Sequence, residues 1–377
     1  MNQPMHILIS AGEPSGDMHA SAVIRSLRAL HPEMRISAVA GEAMRQAGCE
    51  VVEDMQSLNV MGLGDVIKAL PRIRRVEKGL LDWAAEERPD VVILVDFPGF
   101  HLRIGKKLRA LGIPVIHYIA PKLWAWGAWR VKKLKASQDK LASILPFETD
   151  WFAQRGIEAS YVGNPSAYAC RAGWSNAELK ARLGLPADCT LLALLPGSRP
   201  GELARHAPLL AEVLAELRPS MPELEVVVTR APGITDEQLR PLLDAGVHCL
   251  SRMEEGYALR ADAAVAVSGT ATLELALWDV PTVLVYKNSA SMIWLARKLV
   301  SLNCAGLANI LLGDREVMPE LIHEHATVEN IVAHLSPLLK DSAEAAGQRS
   351  EFEHLRNLLG EQNPADGVAA MAVELIR

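Results

Sequence analysis

The stretch VVILVDFPGF, residues 91–100, places five aliphatic residues directly before an aspartate and a Phe-Pro-Gly-Phe turn. An unbroken run of Val, Ile and Leu is typical of a parallel strand buried on both faces, and the Pro-Gly pair predicts that the strand ends at the turn. Asp96 would then stand at the carboxyl end of a buried strand. Because aspartate is a common turn residue, a structural role for Asp96 is the simpler explanation of this stretch taken alone.

The same pattern recurs along the chain, with amphipathic helical stretches between the aliphatic runs. In the first half, the further strand candidates are residues 5–10, 35–40, 114–119 and 141–146. In the second half, they are residues 190–196, 225–229, 263–268 and 282–287. Strands and helices in alternation predict an α/β fold with doubly wound parallel sheets.

The length of 377 residues fits two domains of about 150 to 200 residues each. We predict two doubly wound, Rossmann-like domains, residues 1–165 and 177–344, that face each other across a cleft. Helices in residues 345–377 are expected to pack back on the first domain or on a partner subunit. In such sheets ligands bind beyond the carboxyl ends of the strands, so functional residues are expected directly after strands.

The composition argues against several classes of protein. The five cysteines lie far apart and form no CxxC pair, which disfavours a disulfide framework or a zinc site and fits a reducing cytoplasm. The N-terminal apolar run MHILISA is too short for a signal peptide, and no stretch of about 18 uncharged apolar residues predicts a membrane span. A soluble or peripheral protein is therefore expected.

Charge is divided unevenly in this chain of net charge −6. Residues 1–165 carry 21 Lys+Arg and 18 Asp+Glu, whereas residues 166–377 carry 18 and 27. The basic first half indicates an anionic partner on that side, although ordinary surface variation would also account for so small a difference.

Glycines and carboxylates follow the first predicted strand in AGEPSGDMHAS, residues 11–21. The spacing is not the dinucleotide-binding GxGxxG, and two carboxylates would repel a pyrophosphate. A glycine-rich acidic loop suits sugar hydroxyls, while capping of a helix by Ser15 or Asp17 explains the same residues equally well. The candidate residues of this loop are Gly12, Glu13, Ser15, Gly16 and Asp17.

Two loops in the second half favour phosphate. In LLPGSRPGELARH, residues 194–206, backbone amides at a helix start and the Arg199 guanidinium would form an anion site, although a plain surface loop is also consistent. In AVSGTATLELALW, residues 266–278, hydroxyls and amides suit phosphate, and Glu274 could accept from a ribose diol. Together they predict a nucleotide diphosphate held by the second domain. The candidates are Gly197, Ser198, Arg199, Ser268, Gly269, Thr270, Thr272, Glu274 and Lys287, the last being equally consistent with a surface lysine.

No metal site is predicted. The sequence contains no DxD pair and no HExxH, and the eleven histidines form no cluster with ligand spacing. Helix N-termini and cations would then carry the negative charge of a leaving diphosphate.

Taken together, these motifs resemble those of the lipid-A-disaccharide synthases, a family of type B glycosyltransferases. The resemblance runs in order through almost the whole chain, with His101, Asn164 and Ala308 standing where Asn, His and Pro are expected. The matching stretches are GEPSGD (12–17), DFPGFH (96–101), PKLWAW (121–126), LPFE (145–148), VGNP (162–165), LPGSRPGE (195–202), SGTATLE (268–274), VYK (285–287) and NILLG (309–313).

The resemblance implies transfer of 2,3-diacylglucosamine from UDP-2,3-diacylglucosamine to the 6-hydroxyl of 2,3-diacylglucosamine 1-phosphate, with inversion and release of UDP. It implies no cofactor, no metal and no nucleic acid, and a place at the cytoplasmic face of the inner membrane; some members form homodimers through C-terminal segments. Asp96 becomes the predicted catalytic base, because an inverting displacement needs one base for the acceptor proton. The resemblance adds Ala271 and Asn309 to the donor site, and Trp124, Trp126 and Glu148 to the acceptor site.

A lipid contact is predicted in residues 58–83. Val60, Met61 and Leu63 lie in a glycine-punctuated loop, where a soluble protein would normally place polar residues. Cations follow in an amphipathic stretch whose apolar residues are also explained by packing on the protein's own sheet. These cations include Arg72, Arg74 and Arg75.

Other functions remain open at this point. A transferase that adds N-acetylglucosamine to a lipid-linked peptidoglycan precursor, or a UDP-N-acetylglucosamine 2-epimerase, would share the fold but should carry different motifs in the first domain. A two-lobed ligand-binding protein would have no need of Asp96.

Overall fold

The computed structural model describes residues 4–58, 65–289, 293, 298, 302–340 and 342–376. It divides the chain into two units, Met1–Tyr168 with Glu361–Arg377, and Ala169–Gly360. Each unit has its own parallel sheet and its own hydrophobic core. The predicted α/β fold with two doubly wound sheets is therefore confirmed.

The first unit contains a seven-stranded sheet in the order β3-β2-β1-β4-β5-β6-β7. Its strands are β1 His6–Ala11, β2 Arg35–Ala40, β3 Glu50–Asp54, β4 Val91–Val95, β5 Val115–Tyr118, β6 Lys140–Ser143 and β7 Ala159–Tyr161. Before the chain enters the second unit, its helices are α1 Pro14–Leu30, α2 Glu42–Gln46, α3 Asp65–Glu87, α4 Pro98–Ala110, α5 Val131–Ala136, α6 Glu148–Ala153 and α7 Pro165–Ala169.

The second unit contains a six-stranded sheet in the order β10-β9-β8-β11-β12-β13. Its strands are β8 Thr190–Leu195, β9 Leu224–Arg230, β10 His248–Ser251, β11 Ala263–Val267, β12 Thr282–Tyr286 and β13 Glu320–Ile322. Its helices are α8 Asn176–Arg182, α9 Pro200–Leu217, α10 Asp236–Leu243, α11 Thr270–Leu277, α12 Leu307–Leu311, α13 Val328–Leu338 and α14 Ala343–Leu359, and helix α15 Pro364–Ile376 follows them.

The strand order fixes where each sheet can bind a ligand. In the first sheet the direction of winding reverses between β1 and β4, and in the second it reverses between β8 and β11. At such a point the loops after the two strands diverge to opposite faces and leave a crevice at the carboxyl edge. The loops that follow these four strands begin at residues 12, 96, 196 and 268.

The aliphatic run of β4 lies at the centre of the first sheet, and all five of its residues are fully buried. It pairs with β1 from Ile7 opposite Val91 to Ala11 opposite Val95. Helices α1 and α15 cover one face of the sheet, while α3 and α4 cover the other. Burial on both faces explains why this strand is continuously aliphatic rather than alternating.

The two C-terminal helices belong to different units, whereas residues 345–377 were expected to pack together on the first domain or on a partner subunit. Helix α14 packs on α11, and Gln348 receives a hydrogen bond from the Thr282 amide (2.8 Å), so this helix is part of the second unit. Helix α15 returns to the first unit and packs against α1. The apolar side chains of α15 supply the driving force, since Val368, Ala369 and Ala372 are fully buried there.

The predicted lipid contact falls partly outside the described residues, because Val60, Met61 and Leu63 lie in the stretch 59–64. Within α3, Val76 and Leu80 are buried against the first sheet, so this part of the apolar stripe serves the core. The arginines of the prediction, Arg72, Arg74 and Arg75, are exposed. In the part of the chain that is described, no helix combines the length and the apolarity that crossing a membrane requires.

Candidate active site

Asp96 stands at the carboxyl end of β4 in an unusual backbone conformation. Both Asp96 (φ 49°) and Phe97 (φ 53°) adopt the left-handed region, which non-glycine residues rarely enter. The Asp96 amide donates to the Tyr118 carbonyl (2.8 Å), which ties the turn to the end of β5. Strained residues of this kind persist only where the surroundings hold them, and they concentrate at functional sites.

A buried histidine, His101, forms a hydrogen bond to the backbone of the same turn. His101 on α4 has its Nδ1 at 2.5 Å from the Asp96 carbonyl oxygen and its Nε2 at 3.0 Å from Ser10 Oγ. Since a carbonyl only accepts, Nδ1 must carry the proton, and Nε2 accepts from the Ser10 hydroxyl. Burial lowers the pKa of His101 to about 4, so the ring is neutral and this tautomer is fixed. The sequence showed His101 only as a departure from the family pattern.

The low pKa of His101 predicts a loss of stability in acid. The ordinary histidine pKa is about 6.5, so between pH 6.5 and 4 the unfolded chain binds a proton that the folded chain does not. The free energy of unfolding should therefore fall as pH falls through this range, by roughly 3 kcal/mol at pH 4. Urea unfolding at several pH values should show a smaller fall for His101→Asn. The exposed control His325→Asn should match the parent, and equal falls in all three proteins would contradict the assignment.

The loop after β1 contacts the Asp96 turn through Gly12. A Cβ on Gly12 would lie 2.3 Å from Phe97 Cδ1, so only glycine fits here. The loop continues through the exposed Glu13 and Ser15 and the buried Gly16 into α1. This places the first predicted loop beside the aspartate at the crevice of the first sheet.

The Asp17 carboxylate is engaged within the protein, which corrects its prediction as a sugar-binding residue. It is buried, and its carboxylate accepts from the backbone amides of Gly41 (2.9 Å), Ala43 (2.8 Å) and Met44 (3.2 Å). Asp17 therefore caps the N-terminus of α2. Capping was the alternative explanation of this residue, but the capped helix is α2 rather than α1.

Glu148 and Trp124 form a buried pair behind the carboxyl ends of β5 and β6. Glu148 accepts from Trp124 Nε1 (2.9 Å) and from Ser143 Oγ (2.6 Å), and burial raises the pKa of its carboxyl group. Burial raises the pKa of Asp96 as well, while the charge of the exposed Lys122 acts in the opposite direction on both carboxyl groups. Trp124 and Glu148 thus anchor the loop after β5, while Trp126 is about half exposed (49%).

In the second unit, the loop after β8 presents Arg199. Gly197 has φ 118°, which favours glycine, and Arg199 occupies the N-cap position of α9 with its side chain 82% exposed. The amides of Ser198 (2.9 Å) and Arg199 (3.2 Å) donate to Glu202 Oε2. The predicted anion site therefore relies on the Arg199 guanidinium and the Ser198 hydroxyl, because Glu202 already engages these two amides.

The loop after β11 forms the second half of the predicted donor site. Gly269, Thr270 and Ala271 lie at the start of α11, where the first amides of a helix have no partner within the helix. Glu274, one turn further, is paired with Arg252, which follows β10. Arg252 was missed by the sequence analysis, since nothing in its local sequence indicates that it meets a carboxylate 22 residues later.

Three residues predicted to bind the donor form side-chain hydrogen bonds within the protein. Asn309 is fully buried, and its amide group donates to Met318 O and Glu320 Oε1 and accepts from the amides of residues 317 and 318. Thr272 is fully buried and donates to the Gly269 carbonyl (2.8 Å), and Ser268 Oγ donates to the Ala305 carbonyl (3.1 Å). Asn309 and Thr272 therefore shape the loops rather than contact a ligand, while the half-buried Ser268 retains acceptor capacity.

Lys287 is positioned by a second neutral histidine. The Lys287 amide donates to His206 Nε2 (2.8 Å), and His206 Nδ1 lies 2.7 Å from the Glu202 carbonyl, to which it donates. Burial lowers the pKa of His206, consistent with a neutral ring. His206 thus joins the first turns of α9 to the end of β12, a role that its sequence position did not reveal.

Among the residues that the structure describes, no three His, Cys, Asp or Glu side chains are grouped as metal ligands. The candidate substrate-binding groups lie in two clusters, one around Asp96 at the edge of the first sheet and one around Arg199 and Glu274 at the edge of the second. The first provides a carboxylate of raised pKa, and the second provides a guanidinium, hydroxyls and a helix N-terminus.

Comparison with known proteins identifies the family of the chain. A family model described as lipid-A-disaccharide synthetase matches residues 7–373. The lipid-A-disaccharide synthase of Myxococcus xanthus is 38% identical over 100% of this chain and 99% of its own length, and that of Trichlorobacter lovleyi is 34% identical over 100% and 99%. A structure of UDP-GlcNAc 2-epimerase from Methanocaldococcus jannaschii shares the fold, with a TM-score of 0.59 at 14% identity over 99% of this chain and 100% of that one. The chain therefore belongs to the lipid-A-disaccharide synthetase family of glycosyltransferases.

Proposed function

We propose that this protein transfers 2,3-diacylglucosamine from UDP-2,3-diacylglucosamine to 2,3-diacylglucosamine 1-phosphate, giving a β-1,6-linked disaccharide and UDP. The observation that carries the proposal is the strained Asp96 turn at the crevice of the first sheet, within a chain of this family. A carboxylate held at such a point by its neighbours is suited to take a proton from a bound hydroxyl.

In the proposed reaction Asp96 removes the proton of the acceptor 6-hydroxyl as that oxygen attacks C1 of the donor sugar. The new C1–O6 bond forms while the bond from C1 to the UDP oxygen breaks on the opposite face, so the configuration inverts. The electron pair of the broken bond leaves with UDP, and the proton stays on Asp96 until solvent removes it. His101 acts as a positioning residue, because it is fully buried and bonds the Asp96 backbone rather than its side chain.

The second unit is proposed to bind the donor. Arg199 would donate to the diphosphate, and the start of α11 would stabilise the charge that develops on it. Glu274 engages Arg252 through Oε2, which leaves Oε1 as an acceptor for a ribose hydroxyl. The exposed Ser198 and Thr270 add hydroxyl donors to the same edge.

The partners proposed from this function are lipids rather than nucleic acids. Both substrates carry acyl chains, so we place the protein at the cytoplasmic face of the inner membrane as a peripheral enzyme. The resemblance also implies a homodimer through C-terminal segments, and we propose α15, which packs on α1 of its own chain, as the segment that two subunits would exchange.

The test is an assay of purified protein with both acylated substrates in detergent micelles, with UDP release and disaccharide followed together. The proposal predicts equal amounts of the two products, and no UDP when the monosaccharide phosphate is omitted. UDP-N-acetylglucosamine supplied alone should remain unchanged. Epimerisation of that sugar, or transfer only to a lipid-linked peptidoglycan precursor, would contradict the proposal.

A further inference from the structure

The segment PKLWAWGAWRVKKLKA, residues 121–136, has an unusual composition. It contains three tryptophans and five Lys or Arg residues, and no Asp or Glu. In a chain that carries more carboxylates than cations, such a stretch is a local concentration of positive charge and aromatic surface. The segment follows β5, at the same carboxyl edge of the first sheet as Asp96.

The structure buries one part of this segment and exposes another. Trp124 is held by Glu148, and Leu134 of α5 is fully buried, so the segment is anchored at both ends. Between these anchors Trp129 is 71% exposed, as one of the largest exposed apolar side chains of the described residues. Trp126 is also exposed, and the Arg130 guanidinium lies 4.3 Å from its ring centroid.

The exposed tryptophans and the cations lie together. Trp129 lies in a 3-10 turn, Ala128–Arg130, that leads directly into α5, where Lys132 and Lys133 follow it by three and four residues. This spacing puts the three side chains on one side of the continuous helical stretch. Both lysines are exposed, and the described residues show no ion pair between either lysine and a carboxylate. We name Trp126, Trp129, Arg130, Lys132 and Lys133 the Trp–Lys surface.

We propose that the Trp–Lys surface docks the first unit on an anionic lipid bilayer. Tryptophan prefers the boundary between acyl chains and headgroups, and neighbouring cations are attracted to anionic headgroups. Both signals are present here in one anchored surface, whereas either alone gives weak binding. The inference rests on the proposed function for the choice of a lipid partner, and names the surface that would meet it.

Docking at this surface would bring the reaction edge to the membrane. Strand β5 pairs with β4 up to Tyr118 opposite Val95, and the Asp96 amide donates to the Tyr118 carbonyl (2.8 Å), so the segment that carries the Trp–Lys surface leaves the sheet beside the proposed base. An acceptor whose acyl chains remain in the bilayer could then present its sugar to Asp96 without its chains crossing water. The exposed tryptophans would otherwise cost free energy in contact with solvent.

The test compares binding of the full-length protein to vesicles of phosphatidylcholine with and without phosphatidylglycerol, with no substrate present. The parent should bind the anionic vesicles, and less as salt rises. Lys132→Gln with Lys133→Gln should weaken binding by about thirtyfold at low salt and reduce the salt dependence, since two interfacial charges are lost. Trp129→Ser should weaken binding roughly tenfold through loss of apolar contact. Arg240→Gln with Lys340→Gln, which removes two exposed cations from the second unit, should bind like the parent.

Activity in detergent micelles separates this inference from the proposed function. Trp129→Ser and the double lysine variant should turn over the micellar acceptor within about twofold of the parent, because they alter docking rather than chemistry. If the parent protein is inactive but these variants bind vesicles more weakly than the parent does, the docking surface is supported and the proposed function is overturned. If both variants bind vesicles like the parent, the docking surface is overturned. It is also overturned if the variants show a raised KM for the micellar acceptor without any change in vesicle binding.

Discussion

Asp96→Asn should lower turnover by about 10²- to 10⁴-fold, the usual contribution of a positioned general base. The amide is nearly isosteric and leaves the backbone contacts to Tyr118 and His101 intact, so the fold should persist. The affinity for UDP should not change, because the nucleotide is assigned to the second unit. Steady-state kinetics with both acylated substrates, together with calorimetry of UDP binding, measure the two effects separately.

The pH profile gives a second measure of the same residue. Burial raises the pKa of Asp96 above the ordinary aspartate value, with a hydrogen bond at Phe97 and the charge of Lys122 acting in the opposite direction. A base must be deprotonated to act, so kcat/KM should fall as pH falls through that raised pKa. The residual activity of Asp96→Asn should lack this limb of the profile.

Asp17→Asn is the matched control for this experiment. Asp17 is another aspartate after a central strand of the same sheet, but its carboxylate oxygens accept hydrogen bonds from the backbone amides of Gly41 and Ala43 at the start of α2. Its replacement should lower the free energy of unfolding by about 1.5 to 3 kcal/mol and leave turnover of the folded protein largely unchanged. Near-parental turnover in Asp96→Asn, or an equal loss in both variants, would remove Asp96 from the mechanism.

Arg199→Ala should weaken UDP binding by roughly ten- to a hundredfold, since charge-assisted hydrogen bonds contribute about 1.5 to 3 kcal/mol. The Arg199 side chain is largely exposed at the start of α9 and makes only a long contact of 3.5 Å with Glu202, so its removal should not destabilise the loop. Calorimetry with UDP measures the change directly. Arg240→Ala, which removes an exposed arginine elsewhere in the unit, is the control and should bind UDP like the parent.

Glu274→Ala completes the test of the donor site. It removes the proposed ribose acceptor and also leaves Arg252 without its carboxylate, so weaker UDP binding is expected here as well. Unchanged UDP affinity in both Arg199→Ala and Glu274→Ala would place the nucleotide elsewhere on the protein.

The central strands were predictable because burial on both faces leaves a local signal. Runs such as VVILV in β4 are aliphatic at every position, and the structure places them at the sheet centres. All four edge strands escaped prediction, because short strands with one exposed side mix polar and apolar residues; they are β3 (EVVED), β7 (ASY), β10 (HCLS) and β13 (ELI). Strand ends, and therefore the positions of Asp96 and Arg199, followed from the central strands alone.

The roles of individual polar residues were less predictable, because they depend on contacts between distant parts of the chain. The amides that donate hydrogen bonds to Asp17 lie 24 to 27 residues further along the chain. Asn309 donates to Glu320 of β13, 11 residues away. No local pattern distinguishes a carboxylate that caps a distant helix from one that binds a sugar. His101 and Arg252 were missed for the same reason, since each acts on a residue brought close only by the fold.

The return of α15 to the first unit has a consequence for synthesis of the protein. All strands of both units precede α15 in the chain, and α15 and α1 together cover one face of the first sheet. Until this 13-residue helix has been made, that core lacks its apolar side chains, among them Val368, Ala369 and Ala372. The nascent first unit therefore exposes the apolar surface that α15 later covers, and this surface is where a chaperone would be needed.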